Sequence, residues 1–248
     1  MKKFSSVLLV ALLVFAVVGQ ASAYFDGGNL AQVAYSPGDK EVAVDLGIDL
    51  ATYNFDTAAN DKVATGAINL SQFATGTTWA DINLAYYGQY DTTNLYFATT
   101  KATAPSFNER AGSAFLSGVN KANLNFNTLG GNPSIDVTAS TTGYNASFTS
   151  GGIVPGKYAG LNNDFLDGEA NLAALGSVGY VDMYIYKFER GTRTVTFMPG
   201  TNHDYQGIVR LEADGDTIVN PSAVPIPGTV LLLISGFMGL IGIRRKNS

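Results

Sequence analysis

Cysteine does not occur in this chain, and there is one histidine, His203, and one tryptophan, Trp79. Without cysteine there is no thiol nucleophile, no thiolate zinc site and no covalently attached c-type haem. A single histidine likewise excludes multi-histidine metal sites. Charged residues make up only 14% of the chain, and Lys and Arg, at 15, are outnumbered by 20 Asp and Glu. No Gly-x-Ser-x-Gly elbow, fixed-period repeat or long low-complexity linker is present. No cofactor is expected from these residues.

The scarce positive charge is unevenly placed. Lys2, Lys3, Arg244, Arg245 and Lys246 lie at the two ends; taking them from the 15 basic residues leaves ten against 20 acidic ones, a net charge near −10 for the middle. An acidic surface argues against nucleic acid, which requires a basic footprint, and disfavours docking on anionic headgroups.

Lys2-Lys3, an apolar run from Val7 to Val18 and the small-residue site Ala21-Ser22-Ala23 form the three regions of a secretory signal peptide. The run is too short to span a bilayer comfortably. Residues 1–23 are therefore expected to be removed by signal peptidase after passage through the Sec translocon, leaving Tyr24 as the first mature residue. The rest then folds outside the cytoplasm, and without disulfides its roughly 200 residues depend on their core.

At the other end, residues 221–248 contain Val224-Pro225-Ile226-Pro227-Gly228, an uncharged run Thr229 to Ile243, then Arg244-Arg245-Lys246. Proline lacks a donor and fixes φ, so Pro225 and Pro227 favour an extended, protease-accessible peptide. As a helix, 229–243 is about 22 Å long at 1.5 Å per residue, against roughly 30 Å of hydrocarbon. Snorkelling basic residues make up the difference and hold the terminus in the cytoplasm. Ser235, Gly236, Gly239 and Gly242 give this transmembrane segment a small-residue face suited to close helix packing.

This order of parts resembles the PEP-CTERM sorting signal, in which a Pro-Glu-Pro motif precedes an apolar helix and a basic end. Ile226 stands where the name-giving Glu would be. The resemblance covers about a tenth of the chain and implies an exosortase-like membrane enzyme as partner. It also implies an inner-membrane precursor facing the periplasm, then residence at the cell surface or in the extracellular matrix, with links to exopolysaccharide and biofilm. The function it implies is that of a non-catalytic envelope protein. A secreted carbohydrate-binding domain or hydrolase using the same route is the competing class.

Residues 24–220 are expected to form one mainly β ectodomain, sandwich-like in the jelly-roll or Ig-like manner, because turn residues recur every eight to twelve positions. Asn29 to Tyr35 and Glu41 to Leu46 read as a hairpin, with Val42, Val44 and Leu46 on one face. Ala80, Ile82, Leu84 and Tyr86 alternate, as do Leu95 to Thr99, Ile135 to Ala139 and Tyr144 to Thr149. Val178 to Phe188 is apolar on both faces and reads as central. Arg193 to Phe197, Gly207 to Leu211 and Thr217 to Asn220 complete the strands. One helix is expected near Phe107 to Asn123, where Phe107, Ala111, Ala114, Phe115, Val119 and Ala122 keep a 3.6-residue period behind a capping box at Ser106 to Glu109.

Candidate chemistry is thin. His203-Asp204 supplies a base beside a carboxylate, but neighbours in sequence usually point apart and triads are defined by geometry, so a loop residue is the expected role. Asp164, Asp167 and Glu169, near Asn162 and Asn163, are the weak candidates for a calcium ligand set. They lack the Asp-x-Asp-x-Asp-Gly register, so no metal site is assigned. Asp214-Gly215-Asp216 reads as a hairpin turn. Tyr86, Tyr87, Tyr90 and Tyr96 could stack on sugars, yet strand aromatics more often fill a core. Asn69-Leu70-Ser71 and Asn145-Ala146-Ser147 match glycosylation acceptors by pattern alone.

Signal-peptide cleavage is directly testable. Ala23→Arg should leave an uncleaved precursor, and N-terminal sequencing of the wild-type envelope protein should begin at Tyr24; a wild-type protein retaining Met1 would overturn this reading.

Overall fold

The computed structural model describes residues 25, 28–37, 39–105, 109–128, 134–136, 143–148, 168–191 and 193–222. The cleavage site, the sorting tail, the capping residue Ser106 and the acidic residues Asp164 and Asp167 lie outside them. In chain order the strands are β1 Asn29–Tyr35, β2 Lys40–Asp49, β3 Asp61–Ala64, β4 Asn83–Gln89, β5 Asn94–Thr99, β6 Ser134–Asp136, β7 Ala170–Asn171, β8 Tyr180–Arg190, β9 Val195–Met198, β10 Gly207–Glu212 and β11 Thr217–Val219. Helix α1 is Glu109–Thr128 and the short α2 is Tyr144–Phe148.

The fold is mainly β, and all of these strands belong to one antiparallel sheet. Its path runs β3-β11-β10-β8-β5-β4-β1-β2-β6, with β7 added to β4 and β9 to β8. The expected pair of stacked sheets, jelly-roll or Ig-like, is thus replaced by a continuous sheet that curls almost closed. The curl follows from one set of contacts. Strands β1 and β11 are five steps apart along the sheet, about 24 Å if it were flat at ~4.8 Å per step. Yet the Gln32 amide on β1 donates to Thr217 Oγ1 on β11 at 3.0 Å, and Thr217 donates back to Gln32 Oε1 at 3.1 Å. The same amide donates to the Tyr86 hydroxyl on β4 at 2.7 Å. All three residues are fully buried, so this network lies inside the curl.

Alternation assigns the remaining side chains to two layers. Inside the curl, Leu30, Val42, Leu46, Leu84, Tyr86, Met183, Ile185, Val209, Leu211 and Val219 form a single cluster. On the outer face, Val33, Tyr35, Tyr87, Phe97, Tyr186 and Phe188 meet Phe115, Val119, Ala122 and Phe126 of α1. Strands β1 and β4 are consequently buried on both sides. β8 is central as expected, with Val181, Met183 and Ile185 turned inward and Tyr186 and Phe188 turned to the helix.

Phe97 is the centre of the outer layer, its ring meeting those of Phe115, Tyr186, Phe188 and Phe197 at centroid distances of 6.0, 5.7, 5.5 and 6.0 Å. Offset and edge-on contacts of this kind add to the burial of each ring. Close approach also selects glycine at two points. A Cβ on Gly88 would stand 2.6 Å from Leu50 Cδ1 and 2.8 Å from the Asn29 carbonyl oxygen, and one on Gly118 of α1 would stand 2.6 Å from the Phe148 ring.

Three expectations are corrected. Tyr144 to Phe148 is helical, not extended: Tyr144 and Phe148 are i and i+4, a spacing shared by one face of a strand and one face of a helix, and their rings pack at 4.8 Å. Ala80 lies in a 3-10 turn, Trp79–Asp81, because Thr78 donates to Asp81 Oδ2 through its amide at 2.9 Å and its hydroxyl at 2.7 Å. In α1 the buried stripe is Phe115, Val119, Ala122 and Phe126, while Ala114 is exposed. Among the described residues no helix is long and apolar enough to cross a membrane.

Phe115→Ala removes the helix's main hold on Phe97 and Phe188. It should lower unfolding stability by about 3–5 kcal/mol, read from denaturant midpoints with an unchanged slope.

Candidate functional site

An open concavity of about 600 Å³ lies at one end of the sheet, lined by Ser36, Pro37, Thr75, Gly76, Thr77, Ala80, Asp81, Asn83 and Asn171. Its floor is a cross-strand pair, Asn83 at the start of β4 opposite Asn171 of β7. One wall is the β1–β2 turn at Ser36-Pro37, and the other is the loop through Gly76 and the turn Trp79–Asp81. Asp39 joins the two walls by accepting from the Ala74 amide at 2.8 Å. Gly76 has φ +94 and nothing within 4 Å of the position a Cβ would take, so the loop turns sharply there without closing the opening.

The polar groups in this cavity divide by whether the fold uses them. Asn171 is used twice: its Oδ1 accepts from Ala173 N at 2.9 Å and its Nδ2 donates to the Ala80 carbonyl at 2.8 Å. Asp81 is held ionised, because the Thr78 hydroxyl and amide on Oδ2 draw its carboxyl below the ordinary value. Asn83 and Ser36 are 6% and 7% exposed, and neither side chain has a hydrogen-bond partner among the described residues. Among the described residues, no Lys, Arg or His lines the cavity.

The residues singled out in the sequence do not converge there. His203 turns Nδ1 to the Tyr205 carbonyl oxygen, and its ring stacks on Tyr205 at 3.9 Å. Tyr86, Tyr87 and Tyr96 are buried in the two core layers, and only Tyr90 of that group is half exposed. Asn69 caps the 3-10 turn Leu70–Gln72, its Oδ1 accepting from Ser71 N at 3.1 Å.

Glu169, 4% exposed, accepts from the Tyr35 hydroxyl at 2.6 Å and the Tyr144 hydroxyl at 2.8 Å. Burial, with the charge and hydrogen bond of Glu169 added, holds the Tyr35 phenol far above its ordinary range. This arrangement ties β1, α2 and the lead-in to β7 together under the helical layer. Sequence reasoning did not find it, since Tyr35 and Glu169 are separated by 134 positions.

Asp214 and Gly215 form the β10–β11 turn, with Gly215 at φ +88. Carboxylate oxygens of Glu212, Asp214 and Asp216 lie within 4.8 Å of one another. Internal partners already engage two of them: Asp216 pairs with Lys62 and accepts from the Gly66 amide at 2.8 Å, while Asp214 accepts from the Asp216 amide at 3.1 Å.

Compared with protein-family models, curated proteins and solved structures, the chain matches none.

The hydrogen bond from Lys62, with that from Gly66, draws the Asp216 carboxyl below its ordinary value. A depressed folded value gives stability that is present above the unfolded carboxylate pKa of about 3.9 and is lost as pH falls through the folded one. Asp216→Asn should therefore lower stability at neutral pH and flatten the acid limb of the stability curve below about pH 4, measured by urea unfolding across pH.

Proposed function

We propose that this chain is a non-catalytic exported envelope protein: a self-contained β domain delivered through the Sec route, held at the inner membrane by residues 229–243, and processed by an exosortase-like enzyme. Residues 1–23 act as the signal helix, and Val224 to Gly228 present the cleavable segment. The cell surface or matrix, with its exopolysaccharide, is the destination.

The observation that supports this reading is how the described domain is anchored near its two limits, at Phe25 and at Asn220. Phe25 is 2% exposed, stacks on Phe126 at 5.0 Å, and its carbonyl accepts from Asn127 Nδ2 at 2.8 Å. It is therefore docked one residue beyond the proposed cleavage point. At the other limit Asn220, in the left-handed region at φ 45, donates through Nδ2 to the carbonyls of Phe55 at 2.6 Å and Ala58 at 3.1 Å. Asn is among the few residues that enter that region readily. Between these two anchors lie the described residues of both core layers. The uncharged run 229–243 is matched to lipid.

Deleting Thr229 to Ser248 should release a folded, soluble domain into the periplasm, followed by fractionation and circular dichroism. Neutral replacements at Arg244, Arg245 and Lys246 should alter topology or processing while the domain's thermal midpoint is unchanged. A truncated protein that is unfolded, or that stays in the membrane fraction, refutes the proposal.

A further inference from the structure

The cavity between the β1–β2 turn and the Trp79–Asp81 turn carries an inference that does not rest on the sorting tail. Buried polar side chains are almost always partnered inside a protein. Asn83 and Ser36 are each more than nine-tenths buried, line the cavity and make no side-chain hydrogen bond to the described residues; their polar atoms are not sealed off as the Tyr87 hydroxyl is, so their partners come from what fills the cavity, water or ligand. Asp81 Oδ1 and the hydroxyls of Thr75 and Thr77 line the same space, also without a hydrogen-bond partner among the described residues. We propose that this cavity binds a neutral, hydroxyl-rich saccharide unit through Asn83, Asp81, Ser36 and Thr77.

The chemistry selects that class. An amide offers an acceptor and two donors, a carboxylate offers acceptors alone, and a hydroxyl offers both roles. Together they match a row of sugar hydroxyls, each of which donates once and accepts. With no cationic side chain among the described lining residues, a phosphate, sulfate or uronate has nothing there to neutralise it. With one carboxylate, the site falls short of the six to eight oxygen ligands, several of them charged, that hold calcium. The volume, about 600 Å³, falls in the range of small-molecule sites. The walls hold their shape through bonds independent of any ligand, Asp39 to Ala74 and Asn171 to Ala80, so little ordering opposes binding. None of the described lining residues is aromatic, so hydrogen bonds select the sugar, and the tyrosines near Tyr86 take no part.

The test is saturation-transfer NMR and calorimetry on the full-length protein in detergent. The probes are glucose, galactose, mannose and N-acetylglucosamine, their methyl glycosides, glucuronate and calcium chloride. At least one neutral sugar should bind saturably, with no response to glucuronate or calcium at this site. A preference for the methyl glycoside identifies a residue within a polysaccharide, and a preference for the free sugar a soluble ligand. Asn83→Ala and Asp81→Ala should each weaken binding tenfold or more. Thr77→Val, a change close to isosteric at a half-buried loop residue, should weaken it several-fold with the thermal midpoint unchanged, which separates binding from folding. Tyr90→Ala should leave affinity unchanged. Absence of binding by every neutral sugar overturns the proposal, as does binding that survives all three cavity substitutions or is lost in Tyr90→Ala.

Discussion

The hydrogen bonds among Gln32, Tyr86 and Thr217 are the constraint on which the architecture turns. A buried glutamine is costly unless its amide is satisfied, and on β1 the interior partners come from the neighbouring β4 and from β11, five steps away along the sheet. Satisfying Gln32 therefore requires curvature. Once the sheet curls, its inner face becomes a closed apolar layer and its outer face needs a cover, which α1 provides. Partners for a buried amide are a demand on geometry that apolar packing alone does not impose, since apolar contact is non-directional.

Without disulfides, cohesion in the outer layer falls to aromatic side chains and the buried carboxylate of Glu169. The rings around Phe97 supply area, and Glu169 supplies direction by holding the Tyr35 and Tyr144 hydroxyls. A carboxylate at this depth is tolerable because two donors replace hydration. The two layers are thus stabilised by different means, the inner one by aliphatic packing around an amide and the outer one by rings around a carboxylate.

Much of the strand content was legible, and the reasons are specific. β8 is long enough for two apolar faces to show as separate alternations, and the Ser36-Pro37 and Asp214-Gly215 turns announce the hairpins they close. The stripe of Phe115, Val119 and Ala122 gives α1 by its period. Tyr144, Ala146 and Phe148 could not be read, because a spacing of two and a spacing of four coincide over five residues. β3 and β7 are too short to show a period. The curl was hidden because its key contact joins residues 185 positions apart. The cavity escaped for a related reason: it is assembled from segments near residues 36, 76, 81 and 171, none of which carries a motif alone. What remains visible there in hindsight is Asn83, the polar first residue of β4, set between the apolar Ile82 and Leu84.

The placement of β11 bears on how the domain responds to mechanical load. A force on the chain beyond Asn220 reaches β11 first. That strand is not at the sheet edge: β10 pairs with it on one side and β3 on the other, and Asn220 itself is tied to the carbonyls of Phe55 and Ala58 and, through its main-chain amide, to that of Ile208. Extracting β11 means shearing two ladders together and opening the interior at Thr217, so a pull from this end meets the cooperative core before any strand can peel away singly. A domain built in this way tolerates a tether at its C-terminal boundary without unravelling from it.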